Sequence, residues 1–363
     1  MMNLKKICSV VALSLALGFP IGTTDIEAAP VSEIAAISIN RDGGNFQYWN
    51  NGAASKAALM NYVKDVTNLN SKNFIPVSDR IAVFDMDGTF YCETAPTYSE
   101  WALYLHRVLE DSSYTPTNAE KAYAQQCLEA ARNHSISTDM DKGEDMAQAY
   151  AFEGMTLPEF NAYVDNFMKK PLNGLSNITF GEAYYLPMVE IISYLNANNF
   201  TVYVVTGTDR QLVRECLNGV IPIEANHVIG TDSINLAENQ SFADGMYYTF
   251  SQDDKLVRGS YQMTNNKMNK VCNIAREIGK QPVLGFGNSS SDASMLQYVL
   301  ANNKYKSMSF GVVCDDDIRD FGGAEKSSKF LSLCEKNSWV PISMKNDWKT
   351  IYGDEVTKTA QNF

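Results

Sequence analysis

Asp85 and Asp87 stand one residue apart, directly after the apolar run Ile81-Ala82-Val83-Phe84 and before Gly88-Thr89. Two carboxylates this close repel each other and are costly to desolvate unless a cation or a proton sits between them. One can then act as a nucleophile and cation ligand, while the other, pointing differently, handles protons. Asp85 takes the first role in this reading and Asp87 the second. Further on, Val202-Tyr203-Val204-Val205 leads into Thr206-Gly207-Thr208, and Pro282 to Phe286 leads into Gly287-Asn288-Ser289-Ser290-Ser291-Asp292. Between them, Lys267 and Lys270 open a segment with Val271, Ile274 and Ile278 at helical spacing. A carboxylate, a hydroxyl, an ammonium and a second acidic site together are what phosphoryl transfer requires. The phosphoryl group needs an in-line attacker, with donors and a divalent cation to spread its equatorial charge.

Such groups must be carried to one place. Short unbroken apolar runs suit buried parallel strands, and Gly88 lets the chain turn sharply where the first one ends. In an open α/β sheet the carboxyl edge of the strands is where ligands bind, so all four segments deliver their polar residues to one edge.

In order and spacing the four segments resemble the phosphatases of the haloacid dehalogenase superfamily, from about Tyr48 to the region of Asp317. The pattern is most similar to exported members that look like phosphoserine phosphatases and carry a Gly-Asn-Ser form of the fourth motif. The resemblance implies an α/β fold: a Rossmann-like parallel sheet with an inserted α-helical cap of the C1 type. It implies a Mg²⁺-dependent phosphomonoester hydrolase that works through an aspartyl-phosphate on a small phosphorylated metabolite. Asp85 would attack phosphorus, Asp87 would act as acid and base, and Thr206 with a lysine would hold phosphoryl oxygens. Asp85, Asp87 (by its backbone carbonyl), Asn288 and Asp292 would hold the metal. Gly88, Thr89, Glu93, Gly207, Thr208 and Arg210 are the candidate substrate contacts. Two positions depart from the pattern. Position 288 is Asn where the motif usually has Asp, which makes Asp292 the more important acid. The motif-three lysine is either Lys267 or Lys270, three apart on one helix face, with Lys270 preferred. A phosphotransferase using the same intermediate is the alternative enzyme, and a non-catalytic secreted binding protein on this fold is the alternative outside catalysis.

Composition narrows the partners. The chain has 363 residues, 45% hydrophobic and 20% charged, with a net charge of −12, an ordinary globular composition. Its acidity argues against nucleic acid or anionic lipid. At the N-terminus Lys5 and Lys6 precede the apolar stretch Ile7 to Leu17 and a small-residue zone ending Ala28-Ala29-Pro30. That is a secretory signal layout over residues 1–29, too short for a comfortable membrane span, and it predicts an exported protein; an uncleaved anchor is the other reading. Six cysteines follow it: Cys92, Cys127, Cys216, Cys272, Cys314 and Cys334. No CxxC pair or histidine cluster accompanies them, so zinc is not expected. Disulfides, with Cys314–Cys334 the simplest local pair, and buried free thiols both fit.

Along the chain, residues 30–93 read as a poorly ordered lead-in to 47, a helix from Gly52 to Val66 and the first strand. Residues 94–182 read as the helical cap, with helices at Trp101 to Leu109, Ala119 to Ala131, and from the capping box Thr156-Leu157-Pro158-Glu159 onward. Residues 183–363 return to an alternating β/α pattern, including an expected hairpin of Met246–Phe250 with Leu256–Ser260. Arg210 can reach a substrate anion bidentately or pair locally, and Glu93 is either a cleft residue or a surface acid. Asp315-Asp316-Asp317 reads as a solvated turn. The serines after Asn288 lack a histidine partner or nucleophile elbow.

Overall fold

Ile81–Phe84 (β1) is buried at all four positions, because strands lie on both sides of it and helices cover both faces. The computed structural model describes residues 30–361, so the expected signal segment falls outside the described residues. Before β1 come the short helix α1 (Val31–Ala35) and α2 (Ala54–Thr67). The expected poorly ordered lead-in is instead docked. Ile34 and Ile39 are buried, the Ile39 N–H donates to Ser193 Oγ, and Glu190 accepts from the N–H groups of Gln47 and Tyr48.

After β1 the chain makes four helices in succession: α3 (Ser99–Leu109), α4 (Asn118–Arg132), α5 (Thr138–Ala151) and α6 (Leu157–Met168). Capping boxes at Thr117/Glu120 and Thr156/Glu159 start α4 and α6 by satisfying the orphaned N–H groups of the first turn. The apolar spacing of the sequence does not mark α5. Its buried face carries Glu144, Asp145 and Gln148, while Met146 and Tyr150 are exposed, so its apolar periodicity is inverted.

The core resumes with α7 (Leu186–Ala197), β2 (Thr201–Asp209), α8 (Arg210–Leu217), β3 (Val228–Ala237) and β4 (Leu256–Met263). The short α9 (Met268–Asn273) continues into a π-type turn, followed by β5 (Leu284–Gly287), α10 (Ala293–Leu300), β6 (Met308–Val313), α11 (Ala324–Asn337), β7 (Val340–Ser343) and α12 (Met344–Asp347). The sheet order is β4-β3-β2-β1-β5-β6-β7. Every pairing is parallel except that of β4 with β3. This is a Rossmann-like α/β core. Ala82 is in register with Val202 on one side and Leu284 on the other, so β1 lies where the strand order reverses, the place such sheets bind ligands.

The expected hairpin is corrected, and of the two readings left open for the cysteines the structure has free thiols. Leu256–Met263 pairs with Asp232–Ala237, not with Met246–Phe250, a stretch whose Met246, Tyr247 and Phe250 are exposed. The six described cysteines are all free thiols, in keeping with a large core that needs no cross-link. Asp316 is buried and accepts from Ile318, Arg319 and the Arg319 guanidinium, so the triple-Asp turn is internally anchored rather than solvated throughout. Among the described residues no helix is long and apolar enough to cross a membrane.

Candidate active site

β1 ends at Phe84, and Asp85 leaves the sheet edge with its N–H donated to the Phe286 carbonyl of β5 at 2.9 Å. Gly88 turns the chain at φ +74° and donates its N–H to the Tyr91 carbonyl. A Cβ there would collide with the Asn288 amide and the Glu93 carboxylate; only glycine permits both the conformation and the close approach. The turn thus sets Asp85, Asp87, Glu93 and Asn288 around one small volume.

Lys270 closes it. Its Nζ lies 2.6 Å from Asp85 Oδ1 and 2.6 Å from Asp292 Oδ1, with the lysine side chain 1% exposed. Burial opposes the ammonium charge, but the Asp292 and Asp85 carboxylates outweigh it and raise its pKa. Burial and the Asp292 charge push Asp85 above the ordinary carboxylate range, with Lys270 pulling the other way. Lys267, the rival for this place, is exposed and caps α9 at φ +54°. The structure brings Lys270 to the carboxylates and leaves Lys267 outside.

Asp87 is turned differently. Thr208 Oγ1 donates to its Oδ2 at 2.6 Å, while its Oδ1 is buried with no hydrogen-bond partner. Burial raises its pKa to about 7 against the Thr208 hydrogen bond, and Glu93 adds to the rise. A carboxyl group held there is divided between acid and base near neutral pH, which suits proton transfer.

β2 delivers Thr206, Gly207 and Thr208 to the same edge. Thr206 is buried, and its Oγ1 accepts the Thr208 N–H at 3.2 Å. A Cβ on Gly207 would meet Asn266 Oδ1 at 2.6 Å, so the strand passes tightly under the α9 entry. Thr89 Oγ1 lies 3.3 Å from Asp85 Oδ2. In the fourth motif, Asp292 Oδ2 accepts the Asn288 and Ser289 N–H groups, both at 3.1 Å. Asn288 Nδ2 donates to Glu93 Oε2 at 2.8 Å, which leaves the amide oxygen as the donor atom toward a cation.

Two residues stand otherwise than expected. Arg210 has its Nε and Nη2 on Asp232, both at 2.8 Å, and Nη1 and Nη2 on Glu277 at 2.6 and 2.8 Å. Its guanidinium is engaged by those two carboxylates, so the substrate-contact expectation is corrected to local pairing. Lys326 of α11, which no motif flagged, places Nζ 2.7 Å from Glu93 Oε1. A half-exposed lysine far along the chain carries no local signal; only the packing of α11 against the first motif reveals it.

The mostly parallel sheet is that of a Rossmann-like α/β core. The family model of haloacid dehalogenase-like hydrolase matches residues 82–297, and the chain belongs to that family. No curated protein matches it in sequence. Among solved structures, a functionally unknown protein from Anaerococcus prevotii DSM 20548 is similar at 13% identity and TM-score 0.50, covering 83% of this chain and 95% of its own. Cytosolic 5'-nucleotidase IIIB bound to cytidine is similar at 12% identity and TM-score 0.48, over 86% and 91% of the two chains. A protein of unknown function from Bordetella pertussis Tohama I follows at 14% identity and TM-score 0.45, over 72% and 97%.

Proposed function

We propose that this hydrolase is a Mg²⁺-dependent phosphomonoesterase that acts through an aspartyl-phosphate on a small phosphorylated metabolite. The observation that carries the reading is the division between the two acids: Asp85 is gripped by Lys270, while Asp87 keeps one oxygen free and titrates near 7. Asp85 attacks phosphorus as the bond to the leaving oxygen breaks, and protonated Asp87 hands that oxygen its proton. Asp87, now a carboxylate, takes a proton from water as the water attacks phosphorus, and the bond to Asp85 breaks to restore the carboxylate. Lys270 and Thr206 are suited to hold phosphoryl oxygens, whose charge grows in the transition state.

The residues fit a divalent cation. Asp85, Asp292 and the unpartnered Asp87 oxygen concentrate more negative charge than Lys270 neutralises, and Asn288 offers a neutral oxygen. Asp85, the Asp87 backbone carbonyl, Asn288 and Asp292 are the ligands we assign. The ion supplies charge neutralisation that keeps the attacking carboxylate ionised and offsets phosphoryl charge. The helices between residues 94 and 182 serve as the cap, with Glu93, Thr208 and the 88–89 turn facing substrate. The expected residue 1–29 signal would place the enzyme outside the cytoplasm.

Hydrolysis of p-nitrophenyl phosphate with and without chelator, followed by a panel of phosphorylated metabolites, tests the reading. Mg²⁺-dependent release of inorganic phosphate supports it. An inert protein, or transfer to alcohols in preference to water, removes it.

A further inference from the structure

The helical insertion holds a second carboxylate cluster that the reaction does not use. Glu100 on α3 and Glu144 and Asp145 on α5 are all buried, and they offer ligand atoms that lie within 4.8 Å of one another. Glu144 is 0% exposed, and neither of its carboxylate oxygens has a hydrogen-bond partner. Glu100 accepts the Asp209 N–H at 3.0 Å, and Asp145 accepts the Thr264 hydroxyl. The cluster therefore spans the seam between the inserted helices and the end of β2.

Burying carboxylates is costly unless a cation or hydrogen bonds compensate them. Arg258 pairs with Asp209 at 2.7 Å, and the salt bridges found among the described residues include none to Glu100, Glu144 or Asp145. On these helices Tyr104 OH of α3, which feels the Glu144 charge, and Gln148 Nε2 of α5 are also buried without hydrogen-bond partners. Tyr104 follows Glu100 by one helical turn and Gln148 follows Glu144 by one turn, so each shares a helix face with a member of the cluster. The unpartnered Glu144 carboxylate, on a helix that turns its acids inward and Met146 and Tyr150 outward, calls for a compensating partner.

We propose that Glu100, Glu144 and Asp145 form a binding site for a divalent cation of calcium size, built from residues other than those around Asp85. Opposite oxygen ligands of Ca²⁺ are about 5 Å apart, and the ion takes six to eight oxygens from carboxylates, neutral groups and water. The three carboxylates fall within that span, and the Tyr104 hydroxyl and the Gln148 amide, each one helical turn from a cluster member, are candidate neutral ligands. Bound there, the ion joins α3 and α5 to the backbone of β2 one residue after Thr208, the partner of Asp87. It thereby ties the inserted helices to the core beside the reaction.

The test is metal stoichiometry on chelator-stripped full-length protein, using terbium(III) luminescence displaced by Ca²⁺, in wild type, Glu144→Gln and Asp292→Asn. The expected result is one equivalent fewer in Glu144→Gln than in wild type, with Asp292→Asn keeping that equivalent. Ca²⁺ should also raise the melting temperature of Asp292→Asn but lose that increment when Glu144→Gln is added. Failure of the Asp85 site as a metal site would lower wild type and Glu144→Gln alike and leave their difference intact. Equal binding by wild type and Glu144→Gln overturns the proposal. So does a Glu144→Gln protein that melts higher than wild type when neither binds Ca²⁺, since the carboxyls are then simply neutral. Displacement of terbium by tetramethylammonium at lower concentration than Ca²⁺ also overturns it, in favour of an organic-cation pocket. If Glu144→Gln does not fold, Asp145→Asn is measured in its place with the same outcomes.

Discussion

The Asn288 side chain donates its amide proton to Glu93 Oε2 at 2.8 Å, which joins the fourth motif to the exit from the first. An aspartate at 288, the residue usual in the motif, would face Glu93 with a second carboxylate. Asn288→Asp is therefore expected to melt lower, by about the 1.5–3 kcal/mol of a lost hydrogen bond to a charged group. Adding Glu93→Gln should recover most of that loss. A double-mutant cycle by thermal melting reads the coupling, and strictly additive single effects would refute it.

Asp292→Ala should weaken Mg²⁺ far more than Asn288→Ala. Asp292 brings a full charge and is fixed by the Asn288 and Ser289 N–H groups, whereas Asn288 brings a dipole. Mg²⁺ titration of hydrolysis gives the order.

Asp85→Asn should abolish turnover with the fold retained. The amide is nearly isosteric, but it neither attacks phosphorus nor neutralises a cation. Activity above a few per cent, alongside unchanged near-ultraviolet circular dichroism, would show that Asp85 is not the nucleophile.

Lys270→Ala should lower turnover by ~100-fold or more, the scale for losing a donor aimed at developing charge. It should also destabilise by about 3–5 kcal/mol, because two buried carboxylates lose their shared partner. Lys267→Ala, on an exposed side chain, should do neither. Single-turnover phosphorylation and denaturant melts separate the two lysines.

The pH profile follows from Asp87. Its raised pKa, about 7, means the protonated acid is present below that value and is lost as pH rises through it. Phosphorylation of Asp85 by an alkyl phosphate should fall across that range, whereas the subsequent hydrolysis, which needs the carboxylate, should rise. In Asp87→Asn the loss should be smaller with p-nitrophenyl phosphate, whose leaving group needs little protonation. Equal losses with both substrates would argue that Asp87 is not the acid.

The motif-bearing strands and the two acids were legible because their signal is local. An unbroken apolar run ending in Asp85-Met86-Asp87-Gly88 encodes a buried strand and a sharp turn within nine residues, and Thr206 and Asp292 follow runs of the same kind. The choice between Lys267 and Lys270 was only half legible, since both lie on one short segment. The turn into α9, with Lys267 at φ +54°, decides which ammonium is buried. Arg210 shows the opposite limit: its position suggested an anion, but Asp232 and Glu277, 22 and 67 residues away, claim it through the packing of β3 and the α9 segment. Helix α5 escaped because the period it carries is inverted, with acids inside, and the lead-in to residue 47 escaped because Ser193 and Glu190 on α7 hold it. Sequence by itself determined the motif-bearing strands β1, β2 and β5, their turn chemistry and the acids that follow them, since these depend on neighbours in the chain. The tertiary structure alone decided which cations meet those acids, because that depends on which distant segments the sheet brings to one edge.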